Sequence, residues 1–159
     1  VIFVTVGAQM PFDRLIRAVD EWATSRTVEV FAQIGPSAFY PKSIRSQRFI
    51  DPQEFRKRVQ AASGIVAHAG MGTILTALEY GKPIIVMPRR GDLRETRNDH
   101  QVATATLFSQ QGRIIVAFDE QELIQKLDQF DTSQRTERIE PHASPRLIAT
   151  IRNFIEQKS

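Results

Sequence analysis

Residues 65–101 read IVAHAGMGTILTALEYGKPIIVMPRRGDLRETRNDHQ, and the fold class follows from their pattern. An apolar run, Gly64 to Ala67, stops at a His-Ala-Gly-Met-Gly turn. A helical pattern follows from near Thr73 and ends at Gly81-Lys82-Pro83. A second apolar run, Ile84 to Met87, comes next. Strand, glycine turn, helix and strand in that order predict a βαβ unit with parallel strands. Gly70 and Gly72 are free to take positive φ and admit another molecule close to the backbone. The unpaired N–H groups and positive dipole end of the helix would face that molecule, an arrangement that suits a phosphate.

Working outward, the same alternation continues on both sides. Ile2 to Val6 is a β-branched run that predicts a buried strand, closed by Gly7 to Pro11. Phe12 to Trp22 puts Leu15, Ile16, Val19 and Trp22 on one helical face. Val28 to Ile34 and Gln47 to Ile50 predict two more strands, and Pro52 opens a helix with Phe55 and Val59 inward. Past Pro88, Arg89 to Thr96 reads as a loop. A helix is expected from about Asn98 to Gln111, a strand over Ile114 to Ala117, and an Asp119-capped helix from Glu120 to about Gln129. Phe130 to Ser144 is polar and irregular. Pro145 opens a last helix with an apolar stripe of Leu147, Ile148, Ile151, Phe154 and Ile155.

The expected fold is therefore α/β, a Rossmann-like parallel sheet with helices on both faces. Residues 1–130 form the domain, 131–144 a linker and 145–159 a C-terminal helix. Ligands of such sheets bind beyond the carboxyl ends of the strands. The segments to search are Gly7-Ala8-Gln9, Gly35-Pro36, the residues after Ile50, Gly70 to Thr73, and the loop after Pro88.

Composition narrows the function. The chain has 159 residues, 42% hydrophobic and 25% charged, as in a globular domain with its own core. No apolar run is long enough to cross a bilayer, and VIFVTVG reads as a strand rather than a secretion signal. There is no cysteine, so disulfides and thiolate metal sites are excluded, and a cytoplasmic location fits. A net charge of +3 is too small to argue for nucleic acid. Arg89, Arg90, Arg94 and Arg97 crowd one loop, which permits an anionic ligand.

Several motifs are missing. No GxxxxGK[ST] occurs, and no GxGxxG follows the first strand. His68, His100 and His142 lack metal-ligand spacing, and no Gly-x-Ser-x-Gly elbow is present. What remains is Gly70-Met71-Gly72-Thr73 at a strand-to-helix turn. Thr73 is placed to cap the helix or bond a phosphate oxygen. His68 is expected to hydrogen-bond backbone and brace the turn. Asn98-Asp99-His100-Gln101 opens a helix with groups able to donate to and accept from sugar hydroxyls.

His68 to Thr73, Gly81-Lys82-Pro83, Pro88 and Asn98 to Gln101, in that order, resemble the C-terminal, donor-binding half of GT-B glycosyltransferases of the family 28 type. FVTVGAQMPFDRLI, Gln33-Ile34-Gly35 and Phe49-Ile50 are similar too. The likeness covers roughly residues 1 to 130. It looks closest to the small subunits of two-part enzymes. One group transfers N-acetylglucosamine onto a dolichol-linked sugar. Another, in bacteria, acts on an undecaprenyl-linked acceptor in exopolysaccharide or capsule synthesis, and Arg89-Arg90 with Arg97 to Gln101 looks more like that group.

The resemblance implies a UDP-sugar substrate, no cofactor and no metal. Gly70, Met71, Gly72 and Thr73 would hold the donor diphosphate. The Ile50 backbone would meet the uracil and Thr76 the ribose. Asn98, Asp99, His100 and Gln101 would meet the transferred sugar. Gly7, Ala8, Gln9, Arg89 and Arg90 would border the cleft. Many relatives place Glu where Thr76 stands, and Glu79 lies too far along the helix to replace it. The resemblance also implies a membrane-anchored partner subunit. That partner would supply the acceptor site, present a lipid-linked saccharide, and recruit this chain to the cytoplasmic face of the membrane. Asp13 and Asp99 are candidate bases, and the partner is an equal source of one. A nucleotide-binding regulatory module and an unrelated Rossmann-like enzyme, such as a dehydrogenase or epimerase, are the rival readings.

Overall fold

In the computed structural model, residues 1–97, 100–108 and 114–133 are described. The described residues form six strands and five helices, which alternate except between the second and third strands. They are β1 (Ile2–Thr5), α1 (Asp13–Ala23), β2 (Val30–Gln33), β3 (Arg45–Gln47), α2 (Pro52–Ala61) and β4 (Gly64–His68). Then come α3 (Met71–Glu79), β5 (Ile84–Met87), α4 (His100–Phe108), β6 (Ile114–Val116) and α5 (Glu120–Ser133), with a short 3-10 turn at Gly91–Leu93. All strands are parallel, in the order β3-β2-β1-β4-β5-β6. Thr5 lies beside Gln33 on one side and beside Ala67 on the other. This is the expected α/β Rossmann-like architecture, and its order reverses between β1 and β4.

Alternation along each strand separates two cores. Ile2 and Val4 face a core built with Leu15, Ile16, Val19 and Trp22 of α1 and Leu123, Leu127 and Phe130 of α5. Phe3, Ile65 and Ala67 face the other, built with Val59 of α2, Ile74 and Leu78 of α3 and Ala105 of α4. Each fully buried Leu or Ile contributes about 1.5–3 kcal/mol. Helix starts follow the local chemistry. Asp51 accepts from the Glu54 N–H at 2.7 Å, with Pro52 in the first turn of α2. Asp119 accepts from the Glu122 N–H at 2.8 Å, as expected.

Three elements depart from the sequence reading. The third strand is Arg45–Gln47, not Gln47 to Ile50. It is an exposed edge strand defined by backbone pairing with β2, so it carries no apolar signal. Helix α3 starts at Met71 rather than near Thr73, because Gly70 is the residue that caps it. Helix α5 continues to Ser133, since Phe130 keeps the spacing of Leu123 and Leu127 and is buried with them. Residues 134–159, with most of the expected linker and all of the expected last helix, lie outside the described residues. Among the described residues, no helix is long and apolar enough to cross a membrane.

Candidate functional site

The order reversal leaves a crevice where the chain leaves β1 through Gly7 and β4 through Gly70. Gly7 has φ 76° and Gly35 has φ 61°, conformations that favour glycine. A side chain at Gly35 would also place its Cβ 2.7 Å from the Gly7 carbonyl, so these two loops meet backbone to backbone. Gln33 stitches them. Its Oε1 accepts from Thr5 Oγ1 at 2.8 Å, and its Nε2 donates to the carbonyls of Gly7 at 3.0 Å and Arg48 at 2.9 Å. Sequence reasoning gave Gln33 no role. The available signal was a polar residue inside VFAQI, because a buried amide needs partners.

Two open clefts share Gly7 and Ala8. One, of about 270 Å³, has apolar walls of Phe49, Ile50, Pro52 and Phe55 and is also lined by Thr73. The other, of about 380 Å³, is lined by Gln9, Met10, His68, Arg89 and Gln101. Ligand sites combine apolar walls with a few placed polar groups in this way. Among the described residues, the N–H and carbonyl of Ile50, which lines the first cleft, have no hydrogen-bond partner.

The first turn of α3 lies at the β4 end of this crevice. The cap residue Gly70 offers no side-chain acceptor, and the first turn holds no acidic residue. The first bond is Ile74 N–H to the Gly70 carbonyl at 3.1 Å. The N–H groups of Met71, Gly72 and Thr73 are thus unpaired among the described residues. By contrast, α2 and α5 are capped by Asp51 and Asp119. Neither Gly70 nor Gly72 has positive φ, which corrects the sequence reading. Gly70 is glycine because a Cβ there would sit 2.5 Å from His68 Cε1 and 2.9 Å from its Nε2. A Cβ on Gly72 would meet nothing within 4 Å, so that position opens outward. Thr73 makes no cap bond. Thr76 Oγ1 donates to the Gly72 carbonyl at 2.8 Å, and Thr76 lines neither cleft.

The sequence suggested that His68 bonds backbone, but among the described residues it makes no such bond. Its Nδ1 meets Gln101 Nε2 at 3.3 Å, and its ring lies between Gly7 and Gly70. Burial, and then the charge of Arg89, lower its pKa to about 4, so the ring is neutral at pH 7. Gln101 Oε1 accepts from the N–H groups of Ala69 at 3.2 Å and Arg89 at 3.1 Å, tying the ends of β4 and β5 to α4.

The arginines divide. Arg89 was expected at the cleft border, and it lines the second cleft, but its guanidinium is committed to backbone. It donates to the carbonyls of Pro11 at 3.1 Å, Glu95 at 3.2 Å and Met10 at 2.9 Å, and closely to that of Val6. It is 4% exposed, and burial lowers its pKa. Arg89 therefore staples the loop after β1 rather than offering charge to a ligand. Arg90 lines neither cleft and pairs with Asp92 at 2.6 Å on the surface. Asp13 accepts from Ser37 and lines neither cleft. His100 opens α4, is exposed and lines neither cleft, while Asn98 and Asp99 lie outside the described residues. The structure thus brings together Gly7, Ala8, Gln9, Ile50, Thr73, Arg89 and Gln101. Among the described residues, no three His, Asp or Glu side chains converge as a metal site would need.

Comparison with known proteins identifies the fold and the family. The chain is 28% identical over 124 residues to the human UDP-N-acetylglucosamine transferase subunit ALG13, a match that covers 71% of this chain and 10% of that protein. The chain thus spans about a tenth of that relative's length. The solution structure of ALG13 superposes with a TM-score of 0.59 at 20% identity, covering 90% of this chain and 89% of that one. The kitacinnamycin glycotransferase superposes at 0.60 with 17% identity, covering 98% of this chain and 38% of that one. These likenesses show a shared fold. The pattern of the glycosyltransferase family 28 C-terminal domain matches residues 1–152, and the chain therefore belongs to that family of glycosyltransferases.

Proposed function

We propose that this chain binds the UDP-sugar donor of a two-part glycosyltransferase that acts on a polyprenyl-diphosphate-linked saccharide in exopolysaccharide or capsule synthesis. The observation that carries the proposal is the bare first turn of α3, Met71 to Thr73, at the order reversal of the sheet, where Thr73 lines the first cleft while Gly70, Met71 and Gly72 line neither. The diphosphate would lie on those N–H groups. The uracil would enter the cleft lined by Phe49 and Ile50, against the open backbone groups of Ile50. The sugar would extend toward Gln9 and Gln101.

Transfer breaks the bond between the sugar's anomeric carbon and the diphosphate oxygen. Negative charge grows on the leaving UDP. Preorganised N–H groups and the positive end of α3 stabilise that charge without reorganising. The acceptor hydroxyl must lose a proton. Among the described residues no carboxylate lines either cleft, so we place the base on a membrane-anchored partner that also holds the lipid-linked acceptor. The word "subunit" in the name of the human relative supports such a division, and its UDP-N-acetylglucosamine supports the donor class. The chain would then work at the cytoplasmic face of the membrane.

Calorimetric titration of the isolated protein with UDP, UDP-sugars and NAD tests the proposal. Binding of UDP and UDP-sugars, with turnover only after membranes carrying the partner are added, is the expected result. Tight NAD binding without UDP binding would reject it in favour of another Rossmann-like enzyme.

A further inference from the structure

Gln101 was expected to touch the transferred sugar, yet its carboxamide is already engaged. Two backbone N–H groups, of Ala69 and Arg89, point at one end of it. Only an oxygen can accept both, so that end is Oε1 and the amide orientation is fixed. The NH₂ end then faces His68 Nδ1 at 3.3 Å. An NH₂ group donates and cannot accept, so Nδ1 must present a lone pair. A neutral imidazole with a bare Nδ1 carries its hydrogen on Nε2. That nitrogen is held at the crevice: Cβ atoms built on Gly7 and Gly70 would lie 3.4 Å and 2.9 Å from it.

We infer that Gln101 is a positioning residue that locks His68 in the Nε2–H tautomer and so aims one neutral N–H donor into the second cleft. The link to ligand binding rests on the function proposed above. The lock itself is a property of the ligand-free protein. The ring's surroundings keep it neutral. Among the described residues, Arg89, just past the end of β5, is the charged group facing it and opposes an imidazolium, as burial does. Gly7, Gly70 and Gln101, the contacts from the loop after β1, the α3 turn and α4, carry no charge. A neutral donor gives a diphosphate a hydrogen bond whose strength does not change between pH 6 and pH 8.

Histidine ring nitrogen NMR on the ligand-free wild-type chain reads the tautomer directly. The expected spectrum shows His68 with hydrogen on Nε2 and none on Nδ1. Gln101→Glu keeps an oxygen for the two backbone donors but turns a carboxylate oxygen toward Nδ1. The single ring hydrogen should move from Nε2 to Nδ1, and the imidazole pKa should rise. UDP-N-acetylglucosamine, whose diphosphate has no proton to lose in this range, serves as the probe. Its affinity should be flat from pH 6 to pH 8 in the wild type. In Gln101→Glu it should fall roughly tenfold or more at pH 8, the worth of one hydrogen bond to a charged group. It should recover toward pH 6, where imidazolium regains Nε2–H. Hydrogen on Nδ1 of the wild-type ring would overturn the inference, whether or not the variant folds. So would a folded Gln101→Glu chain with an unchanged tautomer. Failure of wild-type protein to bind the probe, with the tautomer as expected, would instead reject the proposed function and leave the lock standing.

Discussion

Replacing Gly72 with Asp should raise stability and weaken donor binding at once. A Cβ at this position meets nothing within 4 Å, so the side chain costs no repacking. The position lies in the first turn of α3, which has neither a side-chain cap nor an acidic residue. Asp there gains about 0.3–1 kcal/mol from the helix dipole, with a further few tenths for leaving glycine. For a chain of this size, 1 kcal/mol moves Tm by about 2–4 °C. The same carboxylate would stand where the diphosphate is proposed to lie. At roughly 5 Å, unit charges repel by about 1 kcal/mol in water and about 3 kcal/mol at the effective dielectric of a protein surface. UDP affinity should therefore drop roughly 5- to 200-fold. Thermal melts and calorimetry on the wild type, Gly72→Asp and Gly72→Ala separate the terms. Gly72→Ala should melt higher and bind UDP almost normally. A folded Gly72→Asp chain that binds UDP like the wild type would refute the placement of the diphosphate.

Gly70→Ala should behave oppositely, because its Cβ would fall 2.5 Å from the His68 ring; overpacking of this kind costs about 1–3 kcal/mol, read as a lower urea midpoint. Acid should destabilise the fold through His68, whose pKa is about 4 when folded and 6.5 in its ordinary state. The unfolded chain then binds the proton first, so stability is full above pH 6.5 and falls by about 3 kcal/mol as pH drops toward 4. Urea unfolding at pH 7 and pH 4.5 should show this loss, and His68→Gln should flatten it. Arg89→Leu should cost about 3–5 kcal/mol, because the carbonyls of Val6, Met10, Pro11 and Glu95 lose their donor in a buried place. Chemical denaturation would measure it, and a loss under 1 kcal/mol would contradict the staple.

The alternation of strands and helices was legible because their apolar residues repeat with the right periods. Leu15, Ile16, Val19 and Trp22 do fall on one buried face of α1. The edge strand was misplaced because Arg45–Gln47 is fully exposed and is a strand only through its partner β2. Apolar Phe49 and Ile50, read as strand, instead line a cleft. The glycine turn was found, but for an incomplete reason. Gly70 is required by the His68 ring, a contact between side chain and missing side chain that local sequence does not display. The polar web was the least legible part. Gln33 with Thr5, Gln101 with His68, and Arg89 with Val6 lie 28, 33 and 83 residues apart, beyond any periodic signal. Counting arginines in the loop after Pro88 suggested charge for a ligand. The geometry shows one of them bound to carbonyls and another to Asp92.

The most direct measurement is an amide NMR titration of the chain with UDP. The N–H resonances of Met71, Gly72 and Thr73 should shift most, together with that of Ile50, and NAD should move none of them. UDP binding that leaves those amides unmoved and shifts residues elsewhere would contradict the proposal.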